Sequence, residues 1–192
     1  MSEEQRKLFE EVNMLQERLT QDQMEYWQVY SNIDTWQFWI VLFMLLLPLV
    51  VLYYTIDRRR MFHLGFYGFN VHAWFAYTDI VGVQNGWWNY PYQILAVLPS
   101  SFSLDASLVP VSFMLIYQWT LNHNKNFHLY SILLAIIYSF AIKPFLTSIG
   151  LFELGDGVSY FHLLIGYLGI YLFAWVITKI FLKMNKANVE SM

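Results

Sequence analysis

The sequence predicts an all-α protein: an integral membrane bundle of five transmembrane helices, with an amphipathic N-terminal helix ahead of it. Three observations carry that expectation. Of the 192 residues, 57% are hydrophobic and only 13% charged, whereas a soluble domain carries about 25% charged residues. After residue 35 the chain falls into long runs almost free of charge, each close to the ~20 apolar residues that cross a bilayer core. Short polar segments separate the runs, as turns between antiparallel neighbours do. The length suits one compact bundle. Its expected parts are residues 1–35 for the N-terminal helix, 36–184 for the membrane domain and 185–192 for a short tail.

In residues 2–34, Leu8, Val12, Leu15 and Leu19 recur at spacings of three and four, and Tyr26, Tyr30 and Ile33 continue the stripe. That period is helical. The segment reads as a solvated helix continuing into the first span, or as a coiled-coil contact with a second copy or a membrane-protein partner. It is strongly acidic, which disfavours anionic lipid. It also lacks the basic, apolar and small-residue sections of a cleavable signal peptide, so the first apolar run is expected to remain as an anchor.

Span one is expected from Trp36 to Ile56, with Pro48 inside it and Asp57 to Arg60 stopping it. Span two, Met61 to Val83, must form a hairpin with span one because the connection is so short. It is unusually polar, holding His63, Asn70, His72 and Asp79. Residues 84–103 read as irregular. Trp87, Trp88, Tyr90 and Tyr92 suit the headgroup level, and the apolar piece Tyr92 to Leu98 suits an interfacial or re-entrant segment. Span three covers Leu104 to Leu121, span four Phe127 to Gly150 and span five Ser159 to Leu182. Gly150, Gly166 and Gly169 are expected to let helices approach closely.

Orientation follows from basic residues in the loops. Arg58, Arg59 and Arg60 follow span one, Lys125 follows span three, and Lys179, Lys183 and Lys186 close the chain. Segments 84–103 and 151–158 hold no Lys or Arg. The C-terminus is therefore expected in the cytoplasm and the acidic N-terminal helix outside.

Ionisable groups at membrane depth are costly, so they face the interior, pair, or serve function. At ~1.5 Å of rise per residue, Asp79, Asp105, Lys143, Glu153, Asp156 and His162 can converge near the outer leaflet, with His72 near mid-span. These seven are the candidate ligand-binding or ion-pair residues, with Lys143 expected to pair with Asp79 or Asp105. His72 suits a hydrogen-bonded interior histidine or a proton relay. Asp156, His162 and Glu153 could supply oxygen and nitrogen ligands to a metal, but their spacing matches no metal motif, so no metal residue is assigned.

The series His72, Tyr77-Thr78-Asp79, Gly86-Trp87-Trp88-Asn89-Tyr90-Pro91-Tyr92, Pro99, Asp105, Pro110 and Met114-Leu115-Ile116-Tyr117-Gln118 resembles an uncharacterised family of small multi-span membrane proteins from spore-forming Gram-positive bacteria. The resemblance covers most of residues 35–182. It implies a bacterial cytoplasmic membrane and supplies no activity, cofactor or catalytic residue.

The chain has no cysteine, which excludes disulfides, zinc thiolates and iron–sulfur clusters. No basic block suits nucleic acid, and no GxSxG, P-loop, GxGxxG or HExxH is present. No cofactor and no catalytic residue is assigned. The expected partners are the lipid bilayer and, through residues 2–34, a second copy or another membrane protein. A structural or ligand-binding membrane component is the leading expectation. A small oligomeric transporter or channel with a polar path along span two is the alternative. An intramembrane enzyme acting on a lipid or isoprenoid, using Asp79 and Asp105 for acid–base chemistry, stands lowest.

Overall fold

A computed structural model describes the backbone of residues 1–190 and the side chains of residues 1–185. Residues 191–192, and the side chain of Lys186, lie outside the described part. Helix α1 spans Glu3–Tyr26. Ser2 caps it by accepting from Gln5 N at 3.1 Å, and Glu3 and Glu4 in the first turn complement the positive end of the helix dipole. A π turn, Trp27–Ser31, follows. The helix does not run on into the first span as one reading of the sequence expected. At Asn32 the backbone becomes extended, because the Asn32 side chain accepts from Asp34 N at 2.8 Å and so competes with the helical ladder. Thr35 then caps α2, Trp36–Thr55.

α2 turns through Asp57, whose carboxylate accepts from Arg59 N at 3.0 Å, into α3, Met61–Gln84. α4, Val109–Asn122, is entered through a π turn at Leu104–Leu108. Asn124, at φ 50°, turns the chain back, and Asn126 caps α5, Phe127–Ile137. A third π turn, Tyr138–Ile142, leads into α6, Lys143–Ser148. α7 runs from Tyr160 to Glu190. The second and third π turns stand just before a proline, Pro110 and Pro144. Proline has no N–H for the i–4 carbonyl and crowds it, and one residue of π geometry moves the ladder past that defect.

Among the described residues, three helices are long and apolar enough to cross a membrane: Trp36–Thr55, Phe127–Ser148 and Tyr160–Asn185. Only 17% of the Trp36–Thr55 window is buried at a mean hydropathy of 2.3. An apolar helix so little covered by protein belongs in hydrocarbon, because the exposed side chains would otherwise face water at a cost of ~25 cal/mol per Å². The expected second and third spans, α3 and α4, are helical over the expected ranges but are not among these three. The physical reasons differ: α4 by itself is only 14 residues long, whereas α3 is long enough but carries polar residues inward, Asn70 and Asp79 among them, which lower its apolar average.

α3 is the central element, packed against α4 and α7. Its buried positions, Leu64, Tyr67, Gly68, Val71, Phe75, Asp79 and Gly82, advance by three or four residues and make one continuous stripe. Aromatic rings fill the space beside it: Phe75 stacks on Tyr167 at 5.4 Å, and Tyr167 on Tyr138 at 5.4 Å. Turns 57–60 and 122–126 meet at one end, where Arg60 donates to Asn122 at 3.2 Å. Phe181 packs on Phe66 at 4.9 Å, so the C-terminal half of α7 returns to that end. At the opposite end, β1 (Trp88–Asn89) pairs antiparallel with β2 (Glu153–Leu154) in the register Trp88↔Leu154 and Asn89↔Glu153. This ribbon ties together the two segments that hold no Lys or Arg.

Residues Tyr92 to Leu98 form no helix and are held to the π turn Trp27–Ser31: Trp27 Nε1 donates to the Gln93 carbonyl at 3.0 Å, and Ser31 Oγ accepts from Gln93 N at 2.8 Å. One expectation is corrected here. Gly150, Gly166 and Gly169 have open space where a Cβ would stand, so they do not mediate close helix approach. The tight positions are Gly68, Gly82 and Gly155, and at Gly82 a Cβ would overlap the Trp88 ring.

Gly82→Ala should therefore lower unfolding stability in detergent by about 1–3 kcal/mol, the usual range for overpacking. Gly166→Ala and Gly169→Ala should be neutral or stabilising by up to ~1 kcal/mol through helix propensity. Thermal unfolding followed by tryptophan fluorescence reads both, and a destabilised Gly166→Ala with an unaffected Gly82→Ala would contradict the packing described.

Candidate functional site

The buried polar cluster is assembled at the ribbon end of the bundle. α3 delivers Asp79 on its inner stripe, one turn before Gly82. Beyond α3, Gly86 adopts φ +67°, a left-handed value that glycine takes without steric cost. The chain reverses there, with Gly86 N bonding Val83 O at 3.0 Å and Trp87 N bonding Gly82 O at 2.9 Å. β1 then runs back beside α3. In an extended segment alternate side chains share a face, so Trp88 and Tyr90 both point inward while Asn89 is exposed.

Trp88 Nε1 donates to Asp79 Oδ1 at 2.9 Å, and the Tyr90 hydroxyl donates to the same oxygen at 2.8 Å. Lys143 Nζ donates to the Tyr90 oxygen at 2.7 Å. The ammonium also lies 3.9 Å from the centre of the Phe152 ring and 4.6 Å from that of Tyr90, within cation–π range. Asp105 accepts from Ser101 Oγ at 2.6 Å through Oδ2, and its carbonyl oxygen lies 2.7 Å from His72 Nδ1. Asp79, Asp105 and Lys143 are all at most 4% exposed. Burial, with the neighbouring Asp79 and Asp105 charges adding to it, pushes the Tyr90 phenol well above its usual range. It therefore stays protonated, accepting from Lys143 and donating to Asp79.

The structure thus brings Asp79, Asp105 and Lys143 together and joins His72 to them through the Asp105 backbone. The direct pairing of Lys143 with Asp79 or Asp105 is not formed. Tyr90 stands between the ammonium and Asp79, because the inward face of β1 occupies the space a direct contact would need. Glu153, in β2, is exposed but shares a cavity with Asp79. Asp156 stands apart from the buried cluster, whereas His162 reaches its edge, lining a small cavity with Asp79, Trp88 and Lys143. Both are exposed, and both line a different cavity of about 510 Å³ with Trp87 and Trp88. His162 Nδ1 accepts from Ser159 N at 3.1 Å, which gives it a capping role at the start of α7. Among the described residues, no three His, Asp or Glu side chains group so as to hold a metal ion, so Asp156, His162 and Glu153 do not converge on one.

Trp88 and Tyr90 are not headgroup anchors. They are 8% and 6% exposed and are the main hydrogen-bond donors of the cluster. The alternation Trp88, Tyr90, Tyr92 is the signal that could have revealed them, since a period of two marks an extended segment with one buried face. Ser101 and Phe152 carry no such signal.

Asp79 also lies at the boundary of a cavity of about 530 Å³, lined by the last turn of α1, the end of α3, the 89–101 segment and Glu153. Asp79 Oδ2 and Asp105 Oδ1 are buried without a protein hydrogen-bond partner. A buried polar atom left so is expensive, about 1–3 kcal/mol each and more when charged. The cluster can therefore accept further hydrogen bonds at two carboxylate oxygens while its ammonium is already engaged.

These features define a helical membrane protein with a buried, carboxylate-rich polar cluster at one end. Comparison with protein-family models, curated proteins and solved structures returned no match to the chain.

Tyr90→Phe should cost about 1–3 kcal/mol of stability, because it withdraws one donor from Asp79 and the acceptor from Lys143. Lys143→Met, near in volume, should cost a similar amount. The double variant should lose less than the sum of the two, since the residues share one interaction. Strict additivity in denaturant unfolding would sink the bridging role of Tyr90.

Proposed function

We propose that the chain is a five-span membrane component whose outer end binds a small ligand in the cavity between α1 and the Asp79 cluster. The observation that carries this reading is Asp79 itself: 4% exposed, with Oδ2 lacking a protein partner, beside a cavity of about 530 Å³. Ligand pockets span ~300–1,000 Å³ and combine apolar walls with a few convergent polar groups.

The five-span arrangement is supported by the lengths of α3 and of the Leu104–Asn122 stretch, and by their position among the three apolar helices. Orientation rests on the basic residues: Arg58 to Arg60, Lys125 and Lys179 gather at one end, cytoplasmic by the positive-inside rule. The ribbon end, the cavity and α1 then face outward. A bacterial cytoplasmic membrane rests on the family resemblance alone. The channel alternative keeps one favourable observation, that His63, Asn70, His72 and Asp79 are all buried or half-buried along α3. Solute flux in liposomes would favour it.

The absence of cysteine makes topology directly testable. Single Glu4→Cys and Asp156→Cys variants should react with a membrane-impermeant maleimide on intact cells. Lys125→Cys and Lys183→Cys should react only after lysis. The reverse pattern would invert the orientation, and labelling of all four on one side would remove the five-span arrangement.

For the cavity, the protein in native-lipid nanodiscs should retain a small molecule in native mass spectrometry, and Asp79→Asn should release it. A wild-type protein without any retained mass, at concentrations where the nanodisc particle is intact, would count against ligand binding.

A further inference from the structure

The cavity beside Asp79 has a one-sided chemistry. Two carboxylate side chains line it, Asp79 from the buried cluster and Glu153 from β2, together with the rings of Tyr26 and Tyr90. No lysine or arginine is among its lining residues. Lys143 does not line it, and its ammonium is held by Tyr90 and Phe152. Counted as formal charges, Asp79 and Asp105 present two carboxylates for that one ammonium, and each keeps an oxygen without a protein partner. Burial first, and then the nearness of Tyr92 and Glu153, push the Tyr26 phenol at the cavity's α1 side above its usual range.

Resting on the ligand-binding reading above, we propose that this cavity takes a small organic cation, an ammonium held between the carboxylates of Asp79 and Glu153 and beside the Tyr26 ring. A hydrogen bond from a charged donor to a buried carboxylate is among the stronger polar contacts. Tyrosine faces add attraction for cations. An anion entering the same space would meet two carboxylates and no countercharge. The volume fits an organic molecule rather than a bare metal ion, and no three-ligand metal group exists among the described residues.

The test uses four probes with one apolar body and different heads: benzylamine, benzyltrimethylammonium, benzyl alcohol and benzoate. Each is titrated against the full chain in zwitterionic-lipid nanodiscs, with empty nanodiscs as the control, and read by saturation-transfer NMR. Benzylamine should bind most tightly, because it alone combines charge with N–H donors. Benzyl alcohol and benzoate should bind at least about tenfold more weakly, a factor that corresponds to ~1.4 kcal/mol. Asp79→Asn keeps an oxygen for Trp88 and Tyr90 while removing the charge, and should weaken benzylamine about tenfold. Glu153→Gln, at an exposed position, should weaken it by a smaller factor and provides the charge test should Asp79→Asn fail to fold. Benzyl alcohol or benzoate binding as tightly as benzylamine would overturn the cation. So would unchanged benzylamine affinity in both variants. A native mass retained without any binding of benzylamine would overturn the cation and leave the ligand-binding reading standing. No probe bound and no retained mass would remove both.

Discussion

The hydrogen-bonded run from Lys143 through Tyr90 to Asp79 is the constraint on which the ribbon end of this protein depends. Taking an ammonium and a carboxylate out of water costs several kcal/mol per ion even after relaxation. Here the cost is offset without direct ion contact. The phenol of Tyr90 accepts from one partner and donates to the other, Trp88 supplies the second donor to Asp79, and Phe152 faces the ammonium. None of these three helpers comes from the helices that carry the charges. They come from the 84–103 segment and from the residue next to β2. The polar cluster therefore recruits the connecting segments into the bundle, and the two-residue ribbon records how they are held there.

Several local features become intelligible from that requirement. Gly82 leaves room for the indole of Trp88 one turn from the carboxylate it bonds. Gly155 permits the second strand to pass the Gly86 carbonyl, which a Cβ at position 155 would overlap. The two proline-linked π turns sit where the cluster takes its residues: Asp105 lies within Leu104–Leu108, and Lys143 follows Tyr138–Ile142. An added residue in a helical turn changes which side chains face inward beyond it. The prolines that force these turns thereby help set the direction of both charged side chains. π geometry is often associated with functional positions, and here it coincides with the buried ionisable residues.

The N-terminal helix behaves differently. None of the α1 residues is buried, and Leu8, Val12, Leu15 and Leu19 are each at least 50% exposed. It is anchored only at its C-terminal side, where Trp27 and Ser31 bond the backbone of Gln93. That attachment places Gln23 and Tyr26 at the wall of the Asp79 cavity. The helix thus contributes to the cavity through its last turn, while the rest of its length projects from the bundle.

The sequence by itself determined the helices, their approximate ends and the apolar character of the chain. These are local properties: hydrophobic runs, capping residues such as Thr35 and Asn126, and charged stops such as Asp57 to Arg60. It also brought Asp79, Asp105 and Lys143 to one depth, because helical rise converts residue number into distance. Only the tertiary structure decided what lies between them. Tyr90 is distant in sequence from Lys143, and nothing local distinguishes a tyrosine at a headgroup from one inserted between two charges. The same holds for Glu153, which reaches the cavity only because β2 pairs with β1. It holds for Gly82 over Gly166 as well, since a glycine is required where another chain segment presses against it, and that segment is chosen by the fold.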